Sequence, residues 1–372
     1  MAGRDRAVML RQLARLTRPV DAAGDGAVAL AVYADANDHA LLAAEAGAEG
    51  FACVDDAARA LVLFCELSKT GTFPLARVWA SGLLEFVLFM QDADGRFVNF
   101  IADRSGLRNE GGPTSVAGGG FWQARGLRAL AAADLVLGDD RARDGFTRGL
   151  AHVRGRPSPA DVRAVHALTV LELLRAGRMP ELRQDLEEWC DEIAMCRSGE
   201  LLMDNPDEAA PHLWGHLQEG VLAEAGAYLD RPDLIRVARS SALGYLAPLI
   251  ESAFAEEMTQ PYGVACAIYG VERLAAVTGE GAFGALAAKA RAWFDGRNPA
   301  YRPVYDRYMG RVHDGIDHGR LNAHSGAESN IVAAEALFEQ VASTASALTP
   351  AIAACFPAAV PLKSSPQLPV AG

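Results

Sequence analysis

Two adjacent carboxylates, Asp55 and Asp56, stand where an apolar helix begins, in Gly50-Phe51-Ala52-Cys53-Val54-Asp55-Asp56-Ala57-Ala58-Arg59. One acid there serves as a cap, because the exposed N–H groups of a first turn favour negative charge. A pair exceeds that need, and Arg59 is spaced to reach Asp55 across one turn. Two carboxyl groups in different environments can split their proton affinities, one staying protonated while the other ionises, as general acid–base chemistry requires. Further acids that could join them are Glu219 and Glu328 near later helix starts, and Glu110, Asp314 and Asp317 on polar loops.

Other chemistries find less support. His212 and His216, at i and i+4 near Glu219, could share a helix face, but the HExxH order is absent and no third ligand is evident. No metal and no cofactor is therefore expected. Gly118-Gly119-Gly120 lacks the Lys-Ser/Thr of a phosphate loop and the preceding strand of a dinucleotide fold. Arg59 occupies the third acidic position of a DDxxD magnesium clamp, and Ser325 sits in no nucleophile elbow. Trp122, Trp214, Tyr262 and Tyr305 offer flat faces that could stack on a ligand or fill a core.

The elements that must position these residues follow from composition and periodicity. The chain has 372 residues, 51% of them hydrophobic, enough for a large core. Net charge is −12 with no long basic run, which argues against a nucleic acid or anionic membrane as partner. Six cysteines show no CxxC spacing and read as buried thiols of a reducing compartment. With no signal-peptide core and no uncharged apolar run of membrane length, a cytoplasmic location is expected.

Apolar segments read as helices over about 5–17, 54–70, 75–91, 118–137, 141–153, 160–176, 181–196, 212–229, 234–254, 260–278 and 281–294, and from 325, with 27–48 partly helical. Asp92-Ala93-Asp94-Gly95 announces a small hairpin over 92–101, followed by a polar loop at 103–113. Residues 298–324 form an irregular insert, and 200–203 a short strand. Alternate helices begin near 54, 118, 160, 212, 262 and 325, and most end in a small-residue turn such as KTG, LGD, RAG or VTG. Six helix pairs with unequal insertions favour a closed ring over a regular solenoid. The expected architecture is all-α, an (α/α)6 toroid of six helical hairpins with small β-hairpin insertions, as one domain over 1–345 and a Pro/Ala-rich tail over 346–372. The loops entering the inner helices would gather Asp55, Asp56, Trp122, Gln123, Asp161, His212, Trp214, His216, Glu219, Gln260, Tyr262, His324 and Glu328 at one end.

Three stretches carry a family resemblance. GFACVDDAARAL (50–61) resembles the G-Y-C-x-D-D-x-A-R-A-L signature of bacterial cytoplasmic proteins in the six-hairpin glycosidase superfamily. FMQDADGRFVNFIADR (89–104) resembles their M-Q-x-x-D-G-x-F-x-N-F hairpin, and GRLNAHSGAESNIVAAEAL (319–337) their closing N-x-x-x-G-A-E-S motif. The chain departs at Pro113–Gly118, where the family carries acids, and at Phe51, where Tyr is common.

The resemblance implies a sugar-related activity, an oligosaccharide or polysaccharide substrate, and a glycosyltransferase as partner, since some family members are fused to one or encoded beside it. Glycoside hydrolysis needs two carboxyl groups across the scissile bond. Asp56 with Glu328 is the favoured pair, because both lie just inside inner-helix starts within the two end motifs, and Asp55 and Glu219 are further catalytic candidates. Arg59, Trp122, Gln123, His212, Trp214, Tyr262, Asn322 and His324 would bind substrate. Alternatives are a non-catalytic glycan-binding or scaffolding domain, an epimerase using His324 or His212 as base, and a polysaccharide lyase using Tyr or His. Fold alone establishes no activity.

Overall fold

The structure, a computed structural model, describes residues 9–37, 39–41, 49–358 and 360. Helix α1 (Met9–Leu16) opens it. Hairpins follow in chain order: α2 (Val54–Lys69) with α3 (Leu75–Phe89), α4 (Gly120–Leu137) with α5 (Asp140–Val153), and α6 (Ala160–Arg175) with α7 (Arg183–Met195). Next come α8 (Gln218–Leu229) with α9 (Pro232–Gly244) and the short α10 (Leu246–Glu251), α11 (Pro261–Thr278) with α12 (Gly281–Arg291), and finally α13 (Ala327–Ala336) and α14 (Phe338–Ala353).

Sequence composition separates the two rings. Inner helices are apolar around most of their circumference, as a helix packed on all sides must be. In α6 every residue from Ala160 to Leu171 is buried. Outer helices bury one stripe, as α7 does with Leu186, Trp189, Cys190 and Ile193, and leave charges outside. The expected small-residue stops hold: Gly71, Gly138, Gly177 and Gly279 all have φ between 66° and 71°, the left-handed region that ends a helix cheaply only with glycine.

Helices α2, α4, α6, α8, α11 and α13 contact one another in that order, and α13 returns to α2. The ring is closed, and the fold is the expected (α/α)6 toroid. Its sixth outer position is filled from the start of the chain. Helix α1 packs on α13, burying Met9, Leu10, Leu13 and Leu16, and the buried Gln12 side chain donates to the Ser325 carbonyl at 3.1 Å. Helix α14 lies beside α1, and Phe356 beyond it meets the Trp79 ring of α3 at 4.6 Å.

Small strands decorate the end where inner helices begin. β1 (Thr17–Pro19) pairs antiparallel with β2 (Val28–Leu30), and β3 (Ala52–Cys53) with β4 (Phe100–Ile101). The hairpin turn ahead of β4 presses Gly95 (φ 93°) onto α5. A Cβ there would stand 2.4 Å from the Arg148 carbonyl carbon, so only glycine fits.

Several expected boundaries change. Residues 28–30 are a buried strand instead of a helix, because β1 offers them backbone partners; residues 42–48 lie outside the described residues. Residues 212–217 are not helical. The Asp204 carboxylate takes the His212 N–H at 2.7 Å and Gly215 turns the chain at φ 77°, so α8 starts only at Gln218. The helix expected over 234–254 breaks at Tyr245. The last helix crosses residue 346, where the tail was expected, and carries Pro350 internally. Among the described residues, no helix is long and apolar enough to cross a membrane.

Because α1 completes the outer ring, Leu13→Ala should behave as a core truncation. We expect a loss of about 2–5 kcal/mol in urea unfolding; a change below about 0.5 kcal/mol would mark α1 as peripheral.

Candidate active site

The start of α2 is held by the hairpin that precedes α4. Val54 N–H donates to the Asn99 carbonyl at 2.8 Å and Asp55 N–H to the Asn99 side chain at 3.2 Å. Asn99 in turn donates to the Thr114 carbonyl at 2.9 Å. The Cys53 sulfur accepts the Asp56 N–H at 3.4 Å. The first turn is thereby capped without using either carboxylate, and both are left to pair with other side chains.

These carboxylates meet two arginines. Arg125 of α4 donates to both Asp55 oxygens, at 2.5 and 2.6 Å. One Arg59 nitrogen, Nη2, reaches Asp56 at 3.1 Å and Glu328 at 2.7 Å. Because a single nitrogen joins them, those two carboxylate oxygens are no more than about 6 Å apart. Glu328 sits in the first turn of α13, whose entrance is fixed separately. Asp314 accepts the Gly326 N–H at 2.7 Å, and the Asn330 side chain donates to Ser325 and Gly326 while accepting from Val312 N–H.

Three acids share two guanidinium groups, and their proton affinities separate. Burial would raise the Asp55 carboxyl, but the facing Arg125 and Arg59 outweigh it and hold it below its ordinary value. Burial lifts Asp56 furthest. Arg59 opposes the shift, while the Glu328 and Asp55 charges add to it, and the carboxyl is pushed up to about 7. The site therefore holds one carboxyl that keeps its proton to near neutrality beside a second acid, Glu328, that is partly open to solvent.

Arg59, Arg125 and Glu328 line a cavity of about 1010 Å3 in the ring, while Asp55 and Asp56 pair with those arginines from behind its lining. Trp214 and Tyr262 form an aromatic part of its wall, edge to face at 6.4 Å, and Phe121 backs Trp214 edge to face at 4.5 Å. The Arg125 guanidinium lies 4.5 Å from the Phe121 ring centre and 5.2 Å from that of Trp214, which keeps the arginine oriented toward Asp55. Tyr262 donates its hydroxyl to Gln260. Deeper, an apolar belt of Val62, Leu168 and Val332 gives way to a second polar tier, where Arg128 pairs with Glu172 at 2.8 Å and Arg175 with Glu224 at 2.7 Å.

Of the residues singled out in the sequence, the structure brings Asp55, Asp56, Arg59, Trp214, Tyr262 and Glu328 together. It places the others elsewhere. Glu219 is buried against His216 and accepts the Ser241 hydroxyl at 2.7 Å. His216 lies between Glu219 and Asp204, at 2.9 and 2.6 Å, and although burial works against its charge the two acids push it up to about 10. Gln123 braces the hairpin, accepting Phe97 N–H and donating to the Gly95 carbonyl. Trp122 donates to the Val116 carbonyl at 3.0 Å, fixing the loop before α4. His212 joins Asp204 and Asp161 outside the cavity. Asn322 and His324 are exposed on the insert, where the Asn322 side chain accepts the His324 N–H. Glu110 and Asp317 are exposed.

Sequence reading missed Arg125, Asn99 and Tyr33. Arg125 and Asn99 lie within stretches already singled out, one turn into a helix and at the end of the hairpin motif. Tyr33 gave no signal. It reaches the site because the backbone at 32–34 takes up the N–H groups of Ser325 and Ala327 at the α13 entrance. Burial first, then the nearby Cys53, Asp56, Glu328 and Asp314, raise its hydroxyl.

No family model matches the sequence, and no curated protein matches it. Solved structures do. A D-mannose isomerase superposes with a TM-score of 0.68 at 9% identity, over 91% of this chain and 96% of that one. Cellobiose 2-epimerase from Bacillus thermoamylovorans B4167 gives 0.67 at 10% identity, over 88% and 95%. A glycosyl hydrolase family 88 protein from Bacteroides vulgatus gives 0.54 at 11% identity, over 78% and 91%. These likenesses establish the six-hairpin toroid.

The raised Asp56 carboxyl has a measurable consequence. The folded chain holds that proton to about pH 7, whereas the unfolded chain releases it near 3.8. Its stabilising contribution is therefore full below pH 3.8 and lost as pH rises through about 7. Thermal melting should show the wild type losing stability relative to Asp56→Asn between pH 4 and 8; parallel curves would refute the assignment.

Proposed function

We propose that the chain is a carbohydrate-active enzyme that cleaves a glycosidic bond with Asp56 as general acid and Glu328 as the opposing carboxylate. The observation that carries this reading is the Arg59 bridge, which holds a buried, proton-retaining carboxyl within about 6 Å of a partly open one that lines a large cavity. Protonation of the leaving oxygen needs an acid whose affinity lies near working pH, and Asp56 at about 7 meets that need.

The separation is shorter than the ~6.5–9.5 Å that leaves room for a water between carboxyl groups, which favours Glu328 as nucleophile and retention of configuration. Trp214 and Tyr262 supply faces against which a sugar ring can lie. The superposing proteins are named for an isomerase of mannose, an epimerase of cellobiose and a glycosyl hydrolase, so saccharide substrates suit the whole group. Support for hydrolysis over epimerisation rests on Glu328, the acid of the pair that lines the cavity, whereas no histidine is among the described residues that line it. A glycosyltransferase beside this chain would act on the same glycan.

The test is release of reducing ends from a glycan panel between pH 5 and 8. Asp56→Asn and Glu328→Gln should each lower kcat by at least about 100-fold while substrate still binds. Trp214→Ala should instead raise KM. Binding without a new reducing end at any pH would overturn hydrolysis, and solvent deuterium entering an uncleaved sugar would replace it with epimerisation.

A further inference from the structure

Outside the cavity, a second polar cluster joins the first turn of α6 to the segment at 204–217. One oxygen each of Asp161 and Asp204 and one ring nitrogen of His212 all lie within 4.8 Å of one another. Asp161 is only 5% exposed and Asp204 1%. Asp161 Oδ1 accepts just the N–H of its neighbour Val162, at 2.7 Å, and Oδ2 has no hydrogen bond. Asp204 Oδ1 is occupied by His216 and Gln218, at 2.6 and 2.8 Å. Its Oδ2 takes the His212 backbone N–H and keeps a lone pair.

His212 Nδ1 is buried with no hydrogen-bond partner, 3.8 Å from Asp204 Oδ2. That is too long for a hydrogen bond, but within the ~4 Å that two atoms bound to one zinc ion can span. The charge count points the same way. Two buried carboxylates, Asp204 and Glu219, already share the single imidazole of His216, while the buried Asp161 forms no ion pair of its own among the described residues, and buried charge needs a counter-charge.

We propose that Asp161, Asp204 and His212 form a binding site for a divalent transition-metal ion, zinc before calcium. Two carboxylates and an imidazole are a nitrogen–oxygen donor set that suits zinc, whereas calcium takes oxygen alone. Glu208, 3.8 Å from His212 Nε2, is the carboxylate that would favour the tautomer with its proton on Nε2, leaving Nδ1 for the ion. The half-exposed His212 ring provides access from solvent. An ion here would pin the 204–217 segment to α6, and that segment carries Trp214 into the cavity wall. The site is separate from the Asp56–Glu328 pair and does not depend on its chemistry.

Calorimetry on the full chain after EDTA treatment, titrated with zinc chloride and separately with calcium chloride, tests this. One zinc per chain should bind, at least about 10-fold more tightly than calcium, and raise the melting temperature. His212→Ala and Asp161→Asn should each weaken zinc binding by at least about 10-fold. His212 is partly exposed, so its variant should fold even if the Asp161 variant does not. Absence of zinc binding, calcium binding as tight as zinc, or a His212→Ala protein that binds zinc like the wild type would each overturn the site.

Discussion

Arg59 and Arg125 face three acids at the head of the ring, and that imbalance governs what the site can do. Arg125 and Arg59 hold the Asp55 carboxyl below its ordinary value, while the Asp56 carboxyl keeps its proton to near neutrality. Burial assigns that proton to Asp56, which is 2% exposed, while Glu328 stays partly open to the cavity. An unpaired buried carboxylate costs several kcal/mol in desolvation, so the protonated acid follows from the packing of its neighbours. Arg59 serves both as counter-charge and as spacer, since one of its nitrogens fixes how far apart the two acids stand.

That arrangement exists only because the ring closes. Asp55, Asp56 and Arg59 come from α2, Arg125 from α4 and Glu328 from α13, and α2 touches both of the other helices. Helix α1 covers α13 from outside, and the Gln12 side chain grips the backbone at Ser325. The acids sit at helix starts yet do not serve as caps. Cys53 and Asn99 satisfy the first turn of α2, and Asp314 and Asn330 hold the entrance to α13. Capping by neighbours leaves the carboxylates of α2 to pair with Arg125 and Arg59.

The cluster around His216 uses similar groups to a different end. His216 lies fully buried between Asp204 and Glu219 and stays charged, tying the start of α8 to the strand before it and to α9 through Ser241. Glu219 is on an inner helix like Glu328, but its side chain is closed off from the cavity. Position at the head of an inner helix does not by itself turn an acid toward the cavity: Glu328 lines it and Glu219 does not.

The sequence by itself determined the helix pairs and their glycine stops, the toroid they build, and the acids of its first and last inner helices. Those features are local: apolar periodicity, left-handed glycine turns and carboxylates in a first turn are written in consecutive residues. Only the tertiary structure decided that Arg125 belongs to the site, that Gln123 and Trp122 brace loops, and that Tyr33 arrives from the N-terminal segment. The same holds for residues 28–30, which became a strand because β1 lay beside them, and for His212, which left its expected helix when the Asp204 carboxylate took its N–H. Each of these outcomes depends on what a side chain or backbone group meets from a distant part of the chain, and burial, counter-charge and hydrogen-bond partners at that range are not encoded in spacing.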